Sequence, residues 1–336
     1  MSNNKPTIDL IIPGLLNLPI HELNSAELEK STPALHKLLR YANRVSNTLV
    51  DVDDILIQRL KLKQLALPYA KALRPLNNSQ QLLFKPVHLK ADINNAIVFP
   101  VDVDDDEMEG MIDDLQIFFK DDCEIEKLSG QTWLMTLLNC QPVSDVPHYL
   151  SALGKKVTHY LQQAKTNLVW FKLFNEMQMF LYQHDVNQQR QLKGLPLINS
   201  LWCWGADAYQ EEKITNTLWF SSDNDMQKIG ELYAGYSGTI NDFSQADISL
   251  TNNNTDVVIV DLSILKLLKG NNEAELHQVL ETLEYSIFAT SLKATKHRFI
   301  VHTGGGFNFH YDSMLALKFW KKPVELSEVI LQSQPQ

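Results

Sequence analysis

Three short runs of almost unbroken apolar residues constrain the fold more than any other feature of the chain. They cover residues 7–18 (TIDLIIPGLLNL), 256–262 (DVVIVDL) and 298–301 (RFIV). Runs of this kind are typical of strands that are buried on both faces of a parallel sheet. Helical patterns separate them, for example after Thr32, which can cap a helix whose first turn suits Pro33. This alternation predicts an α/β fold with a mostly parallel, doubly wound sheet flanked by helices.

The stretch from residue 84 to residue 141 has a different order. Two strand-like runs (87–89 and 96–103) precede a helical pattern (105–119), and two further strand-like runs follow (123–128 and 133–138). A β-β-α-β-β order with prolines near both ends is typical of a compact unit of its own. We therefore predict an inserted cap subdomain at residues 84–141, with residues 1–83 and 142–336 forming the main α/β core.

The charge balance and the cysteines exclude several classes of protein. The 336 residues include 30 Lys plus Arg against 40 Asp plus Glu, a formal net charge of −10. A nucleic-acid-binding protein needs a basic face, and none is evident. The three cysteines have no spacing that suits zinc or a disulfide framework. No apolar run approaches the roughly 18 residues of a membrane helix, and the opening residues lack a signal-peptide pattern. We expect a cytoplasmic protein with neither a nucleic-acid nor a membrane partner.

Residues 175–205 (NEMQMFLYQHDVNQQRQLKGLPLINSLWCWG) are the densest mixture of polar and aromatic residues. Arg190 can bind a phosphate or carboxylate through two parallel hydrogen bonds, with the amides of Asn187 and Asn199 orienting the ligand. The alternative is a buried polar network that fixes the loop between a helix and a strand, in which Arg190 pairs with a carboxylate such as Glu176. The residues alone leave both interpretations open.

Two other groups of residues are candidates for metal binding. Acidic residues crowd positions 101–114, but Glu107 stands where a calcium loop requires glycine, so a solvated helix start is favoured. A glycine-rich turn at residues 303–307 follows a strand, and His302, His310 and Asp312 lie near it. A strand-end turn with exposed polar residues is the favoured interpretation there.

Several segments together resemble one known family. Residues 181–207 (LYQHDVNQQRQLKGLPLINSLWCWGAD) look like the HPVNxxR…G…N…WG segment of archaeal-type, cofactor-independent phosphoglycerate mutases. The opening IIPGLL…STPALHKLL looks like their DGxxD…TPxLxxLA start, and residues 90–119 are similar to their cap domain. Within that group the chain looks closest to the RpfE-type regulatory proteins. The resemblance implies an alkaline-phosphatase-like α/β core with an inserted cap. For the enzymes it implies two divalent metals on Asp and His ligands, with a serine or threonine nucleophile.

The chain departs from the family pattern where those metals should bind. Pro13 stands where the first metal Asp should follow the opening strand. Thr303 and Gly304 replace two ligands after the last strand, and Leu265 stands where a histidine should follow Asp261. Loss of the carboxylates of a two-metal site should abolish phosphoryl transfer.

The resemblance and these losses together predict a non-catalytic regulatory or ligand-sensing protein with no cofactor. Ser46 and Thr48 are hydroxyls near the nucleophile's place, but the surrounding motif is missing. The alternative is a phosphomutase or phosphatase that binds Mn²⁺ or Zn²⁺ through displaced ligands. The sequence offers Asp9, His302, His310 and Asp312 for that role. A protein-interaction module with a protein partner is the third alternative.

A ligand site is expected where the loops of the sheet converge. In open α/β sheets, ligands bind beyond the carboxyl ends of the strands, so the loops after the first strand, after residues 197–205 and after residues 298–302 should meet. The expected ligand-binding residues are Asn187, Arg190, Asn199, Trp202, Gly304 and Gly305. Arg190 is the cation among them, so we expect an anionic small molecule as the ligand.

Overall fold

The computed structural model describes residues 5–19, 25–47, 49, 51–62, 66–75, 80–91, 95–129, 131–143, 145–206, 214–245, 255–270, 272–312 and 326–332. The chain divides into two compact units. Met1–Lys61 and Glu211–Gln336 form the core unit, and Leu62–Gln210 form the inserted unit. The predicted cap, residues 84–141, lies inside the inserted unit, which also takes in residues 62–83 and 142–210. This wider extent has a structural cause, because a strand at Ser200–Trp204 pairs with a strand that begins at Gln81.

Strands and helices alternate along most of the chain. The strands are β1 (Thr7–Ile11), β2 (Asn43–Ser46), β3 (Gln81–Ala91), β4 (Ala96–Pro100), β5 (Cys123–Ser129), β6 (Thr132–Leu137), β7 (Ser200–Trp204), β8 (Ile214–Ser221), β9 (Ala234–Thr239), β10 (Asp256–Val260), β11 (Arg298–His302) and β12 (Phe307–Asp312). The helices are α1 (Ser25–Ser31), α2 (Pro33–Tyr41), α3 (Val52–Leu60), α4 (Tyr69–Leu73), α5 (Asp105–Phe118), α6 (Tyr149–Ala152), α7 (Thr158–Ala164), α8 (Leu168–Gln183), α9 (Asp185–Leu192), α10 (Asn224–Tyr233), α11 (Ile240–Gln245), α12 (Ser263–Lys269), α13 (Leu276–Leu283), α14 (Ala289–Lys293) and α15 (Leu326–Leu331). A 3₁₀ turn, Glu273–Glu275, precedes α13, and a π-helical turn, Glu284–Phe288, joins α13 to α14.

The core unit is built on a sheet that has seven strands in the described residues. They run in the order β2–β12–β11–β1–β10–β8–β9. The five strands from β11 to β9 are parallel, whereas β12 and β2 pair antiparallel at one edge. The register places Leu10 of β1 beside Ile259 and Val301. The prediction of a mostly parallel sheet flanked by helices is confirmed, and the three apolar runs contain its adjacent central strands.

The alternation of side chains along β1 gives the sheet two different faces. Ile8, Leu10 and Ile12 belong to the main hydrophobic core, together with Leu35 of α2. Successive side chains of a strand point to opposite faces, so Asp9 lies on the other face. Asp9 is only 1% exposed. A carboxylate buried in the middle of a sheet is stable only with charged or hydrogen-bonding partners.

The start of α2 is capped from a distant part of the chain. Pro33 opens α2 as predicted, but Thr32 caps no amide, because its hydroxyl donates to a carbonyl of the preceding helix at 2.7 Å. Instead, the amides of Ala34 and Leu35 donate to the two carboxylate oxygens of Glu284, at 2.6 and 3.0 Å. Glu284 is 2% exposed. Its charge satisfies amides that the first turn of a helix leaves free.

The inserted unit contains the predicted β-β-α-β-β order, formed by β3, β4, α5, β5 and β6. Its sheet has the order β4–β3–β6–β5, with every pair antiparallel, and β7 also pairs with β3. The acidic run at residues 101–114 includes the start of α5, where the Asp104 side chain accepts a hydrogen bond from the Glu107 amide at 2.7 Å.

None of the described helices is long and apolar enough to cross a membrane.

We expect Glu284→Gln to lower the free energy of unfolding of the full chain by about 2 kcal/mol, because a carboxamide accepts only one of the two amide hydrogens that the carboxylate accepts. Urea denaturation followed by circular dichroism measures the effect. Glu281→Gln is the matched control, because Glu281 precedes Glu284 by one helical turn and its side chain is 45% exposed. Equal stability of the two variants would contradict the capping role of Glu284.

Candidate functional site

A pocket of about 360 Å³ lies at the carboxyl edge of the core unit's sheet. β8 ends at Ser221 and β9 ends at Thr239, and both residues line the pocket with Asp261, which follows β10. These three strands are parallel neighbours, and the ligands of open α/β sheets bind where such strands end. The volume is within the range of small-molecule sites.

Most of the residues that line this pocket are of polar, uncharged types. Hydroxyl and amide side chains predominate, with a few apolar ones between them. The lining residues are Ser221, Ser222, Gln227, Thr239, Ile240, Asn241, Asp261, Ser263, Val279, Thr282, Leu283 and Ser286. Asp261 is the one charged side chain in this set, so the electrostatic character of the pocket depends on it.

Asp261 is 2% exposed and bonds to neighbouring groups of the core unit. One carboxylate oxygen accepts the Ser263 amide at 2.9 Å, at the start of α12, and the other accepts the Ser222 hydroxyl at 2.5 Å. The nearby Asp223 caps α10 through a backbone amide and accepts from Lys266 at 2.6 Å. At the start of both α10 and α12, an aspartate carboxylate therefore accepts a hydrogen bond from a backbone amide of the first turn.

Asp9 belongs to a network of charged and polar side chains on the sheet face away from the main core. Arg59 of α3 donates from Nε to one Asp9 oxygen and from Nη2 to Asp256, the latter at 2.9 Å. His302 Nε2 lies 2.9 Å from the other Asp9 oxygen. Burial lowers the pKa of Arg59, but attraction to Asp9 and Asp256 outweighs burial and raises that pKa overall. The guanidinium therefore stays charged, and protein donors occupy both Asp9 oxygens.

The network continues from His302 to the glycine-rich turn. Asn308 Nδ2 lies 3.2 Å from His302 Nδ1, and Asn308 Oδ1 accepts from Asn47 at 3.1 Å. The backbone amide of Asn47 donates to the Gly306 carbonyl at 3.0 Å. With Asn308 donating to Nδ1, the tautomer assigned to His302 carries its proton on Nε2 and donates it to Asp9.

The displaced metal ligands that the sequence offers bond to protein groups or lie apart from the pairs so formed, and do not form a metal-binding group in the described residues. Asp9 and His302 bond to each other, and Asp312 accepts from Lys5 at 2.9 Å. His310 lies on β12, beside Ile300 of β11. Among the described residues, no group of three or more His, Cys, Asp or Glu side chains is placed to hold a metal ion. The residues present therefore do not fit the two-metal site that the resemblance implies for the enzymes.

The two hydroxyls considered as nucleophiles have different outcomes. Ser46 is exposed at the end of the edge strand β2. Thr48 lies outside the described residues. The hydroxyls that the structure brings to the carboxyl edge of the parallel strands include those of the pocket, such as Ser221 and Ser222.

Arg190 is buried in the inserted unit, where it donates to protein groups. It is 1% exposed. Nη1 donates to Glu107 at 2.5 Å, and Nε and Nη2 donate to the carbonyls of Pro196 and Asp102 at 2.8 and 2.9 Å. The carboxylate partner is thus Glu107, 83 residues away, and not Glu176, which pairs within its own helix. Of the two interpretations of Arg190, the buried network is the one that these bonds describe.

The other polar residues of this segment also bond to the protein. The Asn187 side chain bonds to three backbone groups, two of them on Ile198. Asn199 bonds to both backbone groups of Leu89, at 2.7 and 3.0 Å. Trp202 Nε1 donates to a backbone carbonyl at 3.0 Å. These bonds fix β7 and the turn before it, and a ligand contact by Asn187, Asn199 or Trp202 stays a prediction.

Gly304 and Gly305 belong to the core unit, whereas the other four predicted ligand residues belong to the inserted unit. Gly304 has a φ of 73°, which only glycine adopts readily, so the turn itself requires it. The Thr303 hydroxyl closes the turn by donating to the carbonyls of Gly305 and Phe307, at 2.9 and 2.7 Å. Open space surrounds the Cα of Gly305. A ligand role for either glycine stays a prediction.

Two solved structures are similar to this chain over almost its whole length. The cofactor-independent phosphoglycerate mutase from Thermoplasma acidophilum DSM 1728 has a TM-score of 0.46 at 13% identity, over 99% of this chain and 96% of its own. The PH0037 protein from Pyrococcus horikoshii has a TM-score of 0.47 at 13% identity, over 99% of both chains. No family model and no curated protein sequence matches the chain significantly. At these TM-scores, function has to be argued from the residues of the chain itself.

The prediction from sequence missed the pocket because it missed two of the strands that end there. β8 opens with three consecutive polar residues after Ile214 (ITNT), and β9 is rich in glycine and hydroxyl residues (AGYSGT), so neither has the apolar run of a buried strand. A signal was nevertheless present. Ser221-Ser222-Asp223 and Asp261-Leu262-Ser263 each place a carboxylate and hydroxyls between a strand and a helix, which is the position of a ligand-binding loop.

We expect Arg59→Met to lower the free energy of unfolding by about 3 kcal/mol, because it leaves the Asp9 carboxylate buried without the guanidinium that pairs with it. Chemical denaturation of the full chain measures this. The double variant Asp9→Asn/Arg59→Met should recover at least half of the loss, because the uncompensated charge is then absent. A double variant that is less stable than Arg59→Met would contradict the charge-pairing account.

The surroundings of His310 predict that stability depends on pH. Burial lowers the pKa of His310, and the nearby His302 and Arg298 lower it further. The folded chain therefore binds this proton less readily than the unfolded chain, whose histidine pKa is about 6.5, so stability is lost as the pH falls through and below that value. We expect His310→Gln to reduce the difference in unfolding free energy between about pH 8 and about pH 5. An unchanged difference would show that His310 does not contribute.

Proposed function

We propose that this chain is a non-catalytic, ligand-sensing regulatory protein, related to the RpfE-type proteins and descended from a phosphoglycerate-mutase-like enzyme. The observation that carries the proposal is the pairing of Asp9 with Arg59 and His302. Recruiting Asp9 to a metal would break a buried charge pair, at a cost of about 3 kcal/mol or more. Asp9 therefore serves the stability of the sheet, and the strand ends where the family places metal ligands have Pro13 and Thr303 instead.

The charges of the core unit also support this proposal. Phosphoryl transfer needs positive groups that stabilise charge on the transferring phosphoryl group. At three helix starts, carboxylates of the chain accept from backbone amides: Glu284 from two amides of α2, and Asp223 and Asp261 from one amide each of α10 and α12. Two cations that could replace them, Arg59 and Lys266, are paired with aspartates. Carboxylates therefore occupy positions at which a phosphoryl-transfer enzyme would present hydrogen-bond donors to its anionic substrate.

We expect the purified full chain to contain no stoichiometric Mn²⁺, Zn²⁺ or Mg²⁺ and to show no phosphoglycerate mutase or phosphatase activity. The reason is that no described residues assemble into a two-metal site. Elemental analysis and coupled assays, both repeated after incubation with Mn²⁺ and with Zn²⁺, measure this.

Two other results would favour the alternatives. About two equivalents of metal, with turnover that is lost on chelation, would establish the phosphomutase or phosphatase alternative. Specific retention of one protein partner in a pull-down, by a chain that binds no small molecule, would favour the protein-interaction alternative.

A further inference from the structure

The pocket at the carboxyl edge of β8, β9 and β10 has a hydrogen-bonding character that discriminates between ligands. Five of its hydroxyls already donate their hydrogen to acceptors of the protein, at distances between 2.5 and 2.8 Å. They are Ser221, Ser222, Thr239, Thr282 and Ser286. A hydroxyl whose hydrogen is used presents only oxygen lone pairs to a ligand. The wall therefore offers mainly acceptors, and a ligand has to supply the donors.

The side-chain donors that remain in the wall are few and uncharged. Gln227 donates from its amide to the Ser221 carbonyl at 2.9 Å and keeps one further hydrogen. Asn241 and Ser263 contribute an amide and a hydroxyl. A few neutral donors can orient a ligand. They do not offset the free-energy cost of removing an anionic group from water.

The charge of the pocket favours a cation. Asp261 is almost fully buried, and among the described residues no Lys, Arg or His side chain forms an ion pair with it. Lys266, three residues into α12, pairs with Asp223 instead. A buried carboxylate without a counter-charge is costly, and an ammonium group would form a charge-assisted hydrogen bond with it.

We infer that this pocket binds a small organic ammonium ligand, with the ammonium group at Asp261 and the ligand's other donors on the hydroxyl oxygens of the wall. The inference rests on the proposed ligand-sensing function and assigns that function a site and a ligand class. It replaces the expectation of an anionic ligand, which depended on an accessible Arg190. A volume of about 360 Å³ accommodates a molecule of the size of an amino sugar.

Isothermal titration calorimetry of the full chain with five probes tests the ligand class. D-glucosamine, D-glucose and D-glucose 6-phosphate share a ring and differ in charge. Putrescine and ethanolamine carry ammonium groups without a ring, so glucosamine, putrescine and ethanolamine are the three ammonium probes. We expect glucosamine to bind at least about tenfold more tightly than glucose, because a hydrogen bond to a charged group contributes that much. Failure of all three ammonium probes to bind, or tighter binding of the phosphate, would overturn the inference.

Variants locate the binding within the pocket. Asp261→Asn should weaken the binding of the ammonium probes by about tenfold or more. Glu231→Gln removes the same charge from an exposed pair with Lys228 on α10, and it should leave the affinity unchanged. Thr282→Phe fills the pocket while keeping Asp261, and it should abolish binding even if Asp261→Asn fails to fold. Unchanged affinity in either pocket variant would overturn the inference.

The same preparations separate this inference from the proposed function. Metal-dependent turnover would overturn the proposed function. The absence of ammonium binding in a chain that also lacks turnover would overturn the ligand assignment alone.

Discussion

A carboxylate in the middle of the sheet imposes a constraint on which much of the core unit depends. Asp9 lies on β1, with β10 and β11 on either side, and water does not reach it, so its charge has to be matched by protein groups. Arg59 supplies the opposite charge and His302 a further hydrogen bond, and these bonds connect α3 and the end of β11 to the central strand. The same bonds occupy the oxygens that a metal ion would need. One set of bonds thus both stabilises the central strand and keeps Asp9 on protein partners.

The helix starts of the core unit show the same use of carboxylates. In folds of this class, free amides at helix starts often bind phosphate groups. Here Glu284, Asp223 and Asp261 occupy such positions on α2, α10 and α12. The chain therefore places its own carboxylates at these helix starts, where a phosphate-binding site would present free amides.

The parts of the structure that the sequence predicts are those governed by local patterns. β1, β10 and β11 are recognisable because burial on both faces leaves an apolar run, and the β-β-α-β-β order is recognisable from its short alternating segments. The partners of single charged side chains are not local. Arg190 pairs with Glu107, 83 residues away, and Glu284 caps a helix 250 residues away. Only the folded chain determines which of many available carboxylates reaches such a group, so the candidate site was predicted less well than the fold.

The π-helical turn Glu284–Phe288 directs two side chains to different parts of the core unit. Glu284 reaches the start of α2, and Ser286, two positions later, lines the pocket. An α-helix advances by about 100° per residue, and a π turn accommodates one residue more than the α turn it replaces. Deleting one residue of this turn, whichever residue it is, would rotate the side chain of Glu284 or that of Ser286 away from its present position. The length of this segment is therefore as much a part of the site as the residues within it.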